Sequence, residues 1–558
     1  MGAGAASKKH RGLLSIVVED YFQARTFREL IPPEQWYRFQ SRLEESTLKL
    51  LDLLEQFGAQ ATFFVFAPVA EQHRDLVREV AQRGHEVASR SYDVRNAGVL
   101  SEGELRAELA RSREAVQRAS GRRVYGHWNA EERGGSADSK TGALLVEAGY
   151  AYQCAIPPRF GTVRRPAAIH TVRYPQGVLW EVPVSSCAVL GFNLPIGAGS
   201  WLRRLPVGLT RQAIRHWRLR HQDAFVLNFH LWEFDPAQPR ISGASLQARR
   251  AHYQHLERSC RILEECLESY QFTGIAKHLG LEAGAEQLGL GIEWSEAPGK
   301  GEAPRQKIGS RKAVTIVIPC FNEQEVIPYL ANTLEGLQAS LDADYELEFL
   351  FVDDGSSDGT AEQLEATFGG RPDYRVVRHG RNQGVAAAIL TGLREAKTEI
   401  VCSIDSDCSY DPLQLKGMIP LLREGVDMVT ASPYHPQGRV GNVPAWRLKL
   451  SQSASVLYRS LLRNKLFTYT SCFRVYRKSA LNGLRVKRGR FLGVTEMLAR
   501  LDQQGSRIVE YPATLEARLL GHSKMKVLRT IVGHLGLMAE LLVARIRGPG
   551  RGGRLGLE

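Results

Sequence analysis

Cysteine is scarce and scattered: eight residues in a chain of 558, with no CxxC pair. That spacing excludes a zinc ribbon and a disulfide frame, and predicts a reducing compartment. No run of about 18 uncharged apolar residues occurs, so a classical membrane span is not expected. The longest charge-free stretch, Val182 to Leu202, is broken by Ser, Asn, Pro and Gly. The opening MGAGAASKKH lacks the apolar core of a signal peptide. It also misses the myristoylation pattern, because Ala6 stands where Ser or Thr is needed. Acids are fewer than bases: 73 Lys+Arg against 60 Asp+Glu leave a net charge of +13. That excess suits an anionic partner, whether nucleic acid, a sugar nucleotide or an acidic membrane surface.

Hydrophobic residues at 43% and charged residues at 24% are ordinary for a globular protein and exclude wholesale disorder. The length predicts two to four domains. Residues 284–312 are rich in Gly, Pro and charge and read as a linker. Residues 13–283 and 313–527 then form two α/β halves. Residues 1–12 and 548–558 read as disordered ends, and 528–547 as an amphipathic helix. In the first half, LLSIVVED, ATFFVFAP and HEVAS predict buried strands. Helices are predicted over Arg42–Phe57 and from about Glu71 to Arg83, and FVLNFHLWEFDP (Phe225–Pro236) predicts a late strand running into a loop. In the second half AVTIVIP, ELEFLFVDDG, RVVRH and EIVCSID predict strands. Helices are expected from about Gln324 to Leu341 and near Val385–Ala396. A βαβα rhythm of this kind predicts parallel sheets, with ligands beyond the carboxyl ends of the strands.

Three strand ends of the second half carry polar clusters: Pro319–Glu323 (PCFNE), Asp353–Thr360 (DDGSSDGT) and Asp405–Pro412 (DSDCSYDP). If the Asp405 segment is extended, Asp405 and Asp407 fall on one side of it, because side chains alternate with period two. Two such carboxylates suit a hard divalent cation that bridges to diphosphate oxygens. Gly355 and Gly359 are expected to permit a tight turn, and Asp354 to bind a base or ribose.

Together with NQG at Asn382–Gly384, TSCFRVYRK at Thr470–Lys478, EMLARL at Glu496–Leu501 and RLLGHSK at Arg518–Lys524, these motifs resemble the family 2 glycosyltransferases. The resemblance is to the dolichyl- or polyprenyl-phosphate sugar synthase branch and covers roughly Val314 to Arg547. It implies a glycosyltransferase-A (GT-A) fold and inverting transfer from a nucleoside-diphosphate sugar. By the same resemblance Pro319, Phe321, Glu323, Val352 and Asp354 line the nucleotide pocket. Asp405, Ser406 and Asp407 meet the donor and an Mg²⁺ or Mn²⁺ ion, with Ser409 a further ligand, while Arg447, Arg518 and Lys524 neutralise phosphates. Arg474 is expected to be structural. One departure stands out. The arginine that often precedes the tyrosine after the fifth strand is replaced by Pro433 in SPYHP, so a phosphate contact is missing or moved to Arg439.

From Leu528, apolar residues recur at Ile531, Val532, Leu535, Met538, Leu542 and Ile546, interrupted by His534, Glu540 and Arg545. An arginine in mid-bilayer costs roughly 2.5–3.5 kcal/mol, so lying in the interface is cheaper than spanning. Residues 518–558 hold eight Lys/Arg against two acids, a balance that favours anionic headgroups. The same stripe would also suit packing on the catalytic domain, and both can hold at once.

The first half resembles the polysaccharide deacetylases on VVEDYF, ATFFVFAPVAE, GHEVAS, VYGHWNAEE and NFHLWEFDPAQPR, over about Leu13–Leu279. The resemblance implies a distorted (β/α) barrel with an Asp-His-His metal triad. Here Val17 replaces the first acid, Glu19 keeps a ligand place, Arg90 and Val94 replace the two histidines, and Trp128 and Asn129 stand where the family's arginine motif falls. A guanidinium repels a divalent cation, and a catalytic zinc needs three protein ligands. Deacetylase activity is therefore expected to be absent; His230 and His85 read as structural.

The leading expectation is a metal-dependent transferase at the cytoplasmic face of a membrane, with a polyprenyl-phosphate acceptor and no nucleic-acid partner. Alternatives are a soluble glycan acceptor, a bifunctional deacetylase–transferase, or an inactive carbohydrate-binding scaffold.

Overall fold

The computed structural model describes residues 10–91, 100–129, 139–157, 168–189, 192–221, 223–282, 311–441, 445–521 and 527–547. Most of the linker, residues 1–9 and 548–558 of the expected disordered ends, and Val94 lie outside these residues; residues 10–12, expected to be disordered, instead open the first strand, where they pair with neighbouring strands. The chain divides into two compact units. The first comprises Met1–Pro33, Ser41–Gln238 and Ser245–Gly301; the second comprises Glu34–Gln40, Pro239–Ala244 and Glu302–Glu558.

In the first unit the run LLSIVV is wholly buried, as a central parallel strand must be when both faces are covered. It belongs to β1 (His10–Val18). Then follow β2 (Thr62–Phe66), β3 (Glu86–Arg90), β4 (Gly126–Asn129), β5 (Tyr152–Ala155), β6 (His170–Tyr174) and β7 (Gly177–Pro183). A hairpin of β8 (Cys187–Val189) and β9 (Phe192–Leu194) precedes β10 (Phe225–His230) and β11 (Tyr270–Thr273). The main sheet runs β10-β1-β2-β3-β4-β5-β7-β6, with β11 also on β1. All its pairs are parallel except β6–β7. No described pairing joins β10 to β6, so the (β/α) barrel is distorted and open. The strand predicted over ATFFVFAP stops at Phe66, because Pro68 starts a helix over Ala67–Gln72. The single helix expected from Glu71 to Arg83 is two, since the chain leaves helical geometry at His73 before Arg74–Gln82.

The second unit contains β12 (Lys312–Cys320), β13 (Tyr345–Asp353), β14 (Tyr374–Arg378), β15 (Ile400–Ser403) and β16 (Met428–Ser432). After them come β17 (Arg439–Val440), β18 (Arg474–Arg477), β19 (Ile508–Pro512) and β20 (Thr514–Leu515). The order β14-β13-β12-β15-β18-β16-β19 is parallel except at β18, which runs antiparallel to both neighbours. A separate ribbon pairs β17 with β20. This is the mixed α/β sheet expected of a GT-A domain. The helix predicted from Gln324 begins at Ile327, with Pro328 in its first turn.

The helix Val527–Arg547 resolves the question of its apolar stripe. Leu537, Met538 and Leu541 join the core of the unit, and His534 meets the Tyr458 hydroxyl at 2.9 Å. Val532, Leu535, Leu542, Val543 and Ile546 stay exposed. Glu540 pairs with Arg488 at 2.6 Å. Packing therefore covers one face and leaves a second, apolar face open. No described helix is long and apolar enough to cross a membrane.

Candidate active site

The first two strands of the second unit end on the same level, with Pro319 opposite Val352 and Cys320 opposite Asp353 in register. Pro319 and Val352 are buried, and Phe321 lies half-buried just beyond the strand. Asn322 takes the left-handed region at φ 52° and receives the chain turn: its N–H donates to Ser356 Oγ at 2.9 Å, and Glu323 N–H donates to Thr360 Oγ1 at 2.7 Å. The two loops after β12 and β13 are thus stitched together, which fixes Glu323 at the mouth.

The adjacent aspartates after β13 divide their work. Asp353 accepts the Ser356 N–H at 3.0 Å and pairs with Arg378 at 3.1 Å. Asp354 accepts from His379 Nδ1 at 2.7 Å, from Gln383 N–H at 2.9 Å and from Gly384 N–H at 2.7 Å. Both Asp354 oxygens therefore hold the NQG turn in place. Gly384 has φ 101°, and a Cβ there would lie 2.6 Å from the Gly489 carbonyl, so only glycine fits. Gly355 has the positive φ expected of it, 70°, but Gly359 does not; a Cβ at Gly359 would lie 2.7 Å from the end of the exposed Gln324 side chain, which is free to turn aside.

The acidic segment after β15 departs from the expected geometry. The strand ends at Ser403, so Asp405 and Asp407 do not share one side of an extended segment. A turn brings them together instead: Cys408 N–H donates to the Asp405 carbonyl at 3.2 Å, with Cys408 at φ 52°. Asp407 Oδ1 accepts the Ser409 N–H at 3.0 Å, and the Ser409 carbonyl accepts the Glu516 N–H at 2.9 Å. Ser406 is buried between the two carboxylates in sequence. Burial first, and then the charge of Asp407, raise the Asp405 carboxyl to about 7; Glu323 adds to the rise, while the Cys472 thiol and Arg518 oppose it. Arg518 bonds to Glu323, approaches Asp407 Oδ2 at 3.6 Å and donates through Nε to the Leu520 carbonyl at 2.7 Å. Three carboxylates therefore face one guanidinium.

That surplus of negative charge fits a divalent cation. Among the described residues no group of three His, Cys, Asp or Glu side chains converges as a self-sufficient metal cage. Mg²⁺ and Mn²⁺ are commonly held by one or two carboxylates together with substrate phosphates, so a pair such as Asp405 and Asp407 suffices. Of the expected phosphate cations, Arg518 stands in this cluster. The Arg447 side chain and the whole of Lys524 lie outside the described residues. Arg439 is exposed on β17, and Arg474 is fully buried and donates to the carbonyls of Val494 and Tyr469, a structural role. Sequence reasoning overlooked Cys472, although it sits in the TSCFRVYRK motif, and Asp411, although it closes DSDCSYDP.

The corresponding strand end of the first unit is wired differently. Glu19 follows β1 and is buried. Its carboxylate is bonded by Arg90 at the end of β3, by His230 Nδ1 at 2.6 Å and by Trp232 Nε1 at 3.1 Å. Burial lowers the Arg90 guanidinium to about 10, still protonated at neutral pH. The replacement expected to expel a metal thus places a fixed cation on the remaining acid. His85 accepts the Ala61 N–H at 3.2 Å, as expected of a core histidine.

Comparison with known proteins agrees with this division. Residues 315–485 match Glycosyl transferase family 2, residues 35–153 match Polysaccharide deacetylase, and residues 154–280 match a domain of unknown function (DUF3473). The undecaprenyl-phosphate mannosyltransferase of Micrococcus luteus is 31% identical over 38% of this chain and 87% of its own length. The polyprenol monophosphomannose synthase of Mycolicibacterium smegmatis is 31% identical over 42% of this chain and 89% of its own. A mannosyltransferase structure from Pyrobaculum calidifontis, in complex with GDP-Man and Mn²⁺, is 19% identical with a TM-score of 0.32, covering 49% of this chain and 74% of that one. Because two relatives above 30% identity are matched over most of their length, the chain belongs to glycosyl transferase family 2, with a polysaccharide deacetylase-type half ahead of the transferase.

Proposed function

We propose that the second unit is a metal-dependent, inverting transferase that moves a sugar from a nucleoside diphosphate to a polyprenyl phosphate at the inner face of a membrane. The observation that carries the reading is the Asp405–Asp407–Glu323 cluster, in which Arg518 bonds Glu323 and approaches Asp407 while the Asp405 carboxyl is raised by its neighbours. Asp405 and Asp407 would hold Mg²⁺ or Mn²⁺, which supplies Lewis-acid stabilisation of the departing diphosphate. Pro319, Val352 and Phe321 offer an apolar wall for the base. Ser409, with its backbone tied on both sides, keeps Asp407 in place. Arg518 would stabilise the charge that develops on the leaving group, and exchanging a carboxylate for a phosphate would keep its guanidinium paired.

The acceptor end of the reaction needs little from the protein. A lipid phosphate oxygen is already ionised near neutral pH, so its attack on the anomeric carbon needs no general base. The C–O bond to the nucleotide breaks as the new one forms on the opposite face, which inverts the centre. Both relatives named above are polyprenyl-phosphate mannosyltransferases, which makes a mannosyl donor the first to test. The open apolar face of the helix Val527–Arg547 supports peripheral attachment to an anionic bilayer.

The first unit, in this reading, hydrolyses no acetamide, because Glu19 is paired internally with Arg90 and hydrogen-bonded to His230. Incubation with nucleoside-diphosphate mannose, polyprenyl phosphate and Mn²⁺ should yield a mannosylated lipid. Product equally abundant after chelation would remove the metal from the reading. Transfer to soluble glycans but not to lipid, with no flotation on anionic vesicles at high salt, would remove the lipid acceptor. Acetate release from an N-acetylglucosamine oligomer with Zn²⁺ would overturn the inactive first unit.

A further inference from the structure

Two short segments lie far from residues 315–485 in sequence but belong to the second unit by their contacts: Glu34–Gln40 and Pro239–Ala244. The first of them falls in the stretch that matches Polysaccharide deacetylase. Arg38 is 3% exposed and bonds Asp411 at 2.6 Å through Nη2. Asp411 uses its other oxygen to accept the Leu413 N–H at 2.9 Å, so it closes the segment that starts at Asp405. Asn332 anchors the same turn by donating to the Arg38 carbonyl at 3.2 Å, and Phe39 packs edge-on against Tyr329 at 5.0 Å. Three residues before Arg38, Gln35 Nε2 donates to Glu516 at 3.1 Å. In the second segment, Ser242 donates to the Leu519 carbonyl through both N–H, at 2.7 Å, and Oγ, at 3.2 Å.

These contacts converge on one place. Glu516 and Leu519 bracket Arg518, and the Glu516 N–H is bonded to the Ser409 carbonyl, so the Arg518 strand and the Asp405–Asp411 segment are joined. We propose that residues 34–40 and 239–244 are positioning elements of the transferase site, with Arg38 as the principal positioning residue: it sets the Asp405–Asp411 turn through Asp411, while Gln35 and Ser242 set Arg518 from either side. None of the three touches the reacting atoms; they act through Asp411, Glu516 and Leu519. The proposal rests on Asp405 and Asp407 being the donor site, but its structural half can be read without turnover.

The test uses the full chain with Arg38→Gln, Arg38→Lys and Gln35→Leu. Misplacing a catalytic group by about 1 Å can cost on the order of 100-fold, so Arg38→Gln should lower kcat/KM for the donor by about 10- to 100-fold, mostly in kcat. Arg38→Lys should recover most of it, and Gln35→Leu should lose less. Hydrogen exchange in the absence of substrate should quicken about tenfold over residues 409–416 and 514–520, and stay unchanged over β12 and β13. Wild-type kinetics with unchanged exchange in Arg38→Gln would overturn the proposal. So would exchange that quickens equally across the whole second sheet, which marks a general loss of stability. If the wild-type chain turns over no donor, local quickening in Arg38→Gln still supports the positioning role while the reading of the site as a transferase fails.

Discussion

The two units end their central strands on acids and handle that charge in opposite ways. After β1, Glu19 is met by a guanidinium, an imidazole and an indole N–H, all from its own unit. After β12 and β15, Glu323 and Asp407 both meet Arg518, and the Asp405 carboxyl beside them is driven up to about 7. A buried acid has to meet positive charge or take up a proton. In the first unit the chain supplies the charge through Arg90; in the second, the acids outnumber the guanidinium they meet, which is the charge balance that the proposed cation and diphosphate would complete.

Removing an acid from the unfilled cluster should have the largest effect. Asp405→Asn should lower transfer by about 1000-fold or more, comparable with losing a main transition-state contact, with little change in thermal unfolding. A titration with Mn²⁺ should show weakened binding alongside.

Next comes the filled site. Arg90→Leu strands Glu19 as a buried charge, and breaking such a pair costs roughly 3–5 kcal/mol, to be read by urea unfolding of the first unit. Arg90→His is the sharper version. It offers a third ligand beside Glu19 and His230, so Zn²⁺ should raise the melting temperature of this variant and leave the wild type unmoved.

Arg518→Ala should cost transfer about 100-fold, and Arg518→Lys should recover only part, because one ammonium cannot serve Glu323, Asp407 and the Leu520 carbonyl together.

The smallest effect concerns Asp20, next to Glu19. Burial raises its carboxyl from 3.8 to about 6, despite bonds from the Ser41 hydroxyl at 2.6 Å and the Arg42 N–H at 2.8 Å. A raised folded value means that its stabilisation is complete below about pH 4 and is lost as pH climbs through 6. The Asp20 contribution to first-unit stability should fall by about 2 kcal/mol over that window, and Asp20→Asn should flatten the profile.

Much of this architecture was legible in the chain. The runs LLSIVV and AVTIVIP announced buried parallel strands, since only a strand covered on both faces needs unbroken apolar residues. Arg90 at an expected ligand place pointed to a cation beside Glu19, and the structure pairs the two. Other features had no local signature. The turn that carries Asp405 and Asp407 has Cys408 at φ 52° and begins after β15 stops at Ser403. Whether Asp354 faces a nucleotide or the NQG turn depends on where residues 379–384 return.

Local pattern by itself determined the strand and helix periods, the two α/β halves and the acids at the strand ends, because each of these is a matter of near neighbours and side-chain chemistry. Tertiary structure alone decided which cation answers which acid. Arg90 reaches Glu19 across 71 positions, and Arg518 reaches Glu323 across 195. Arg38 reaches Asp411 through a segment whose sequence gives no hint of the sheet it serves. An ion pair is fixed by distance in space, and no periodicity along the chain encodes that distance.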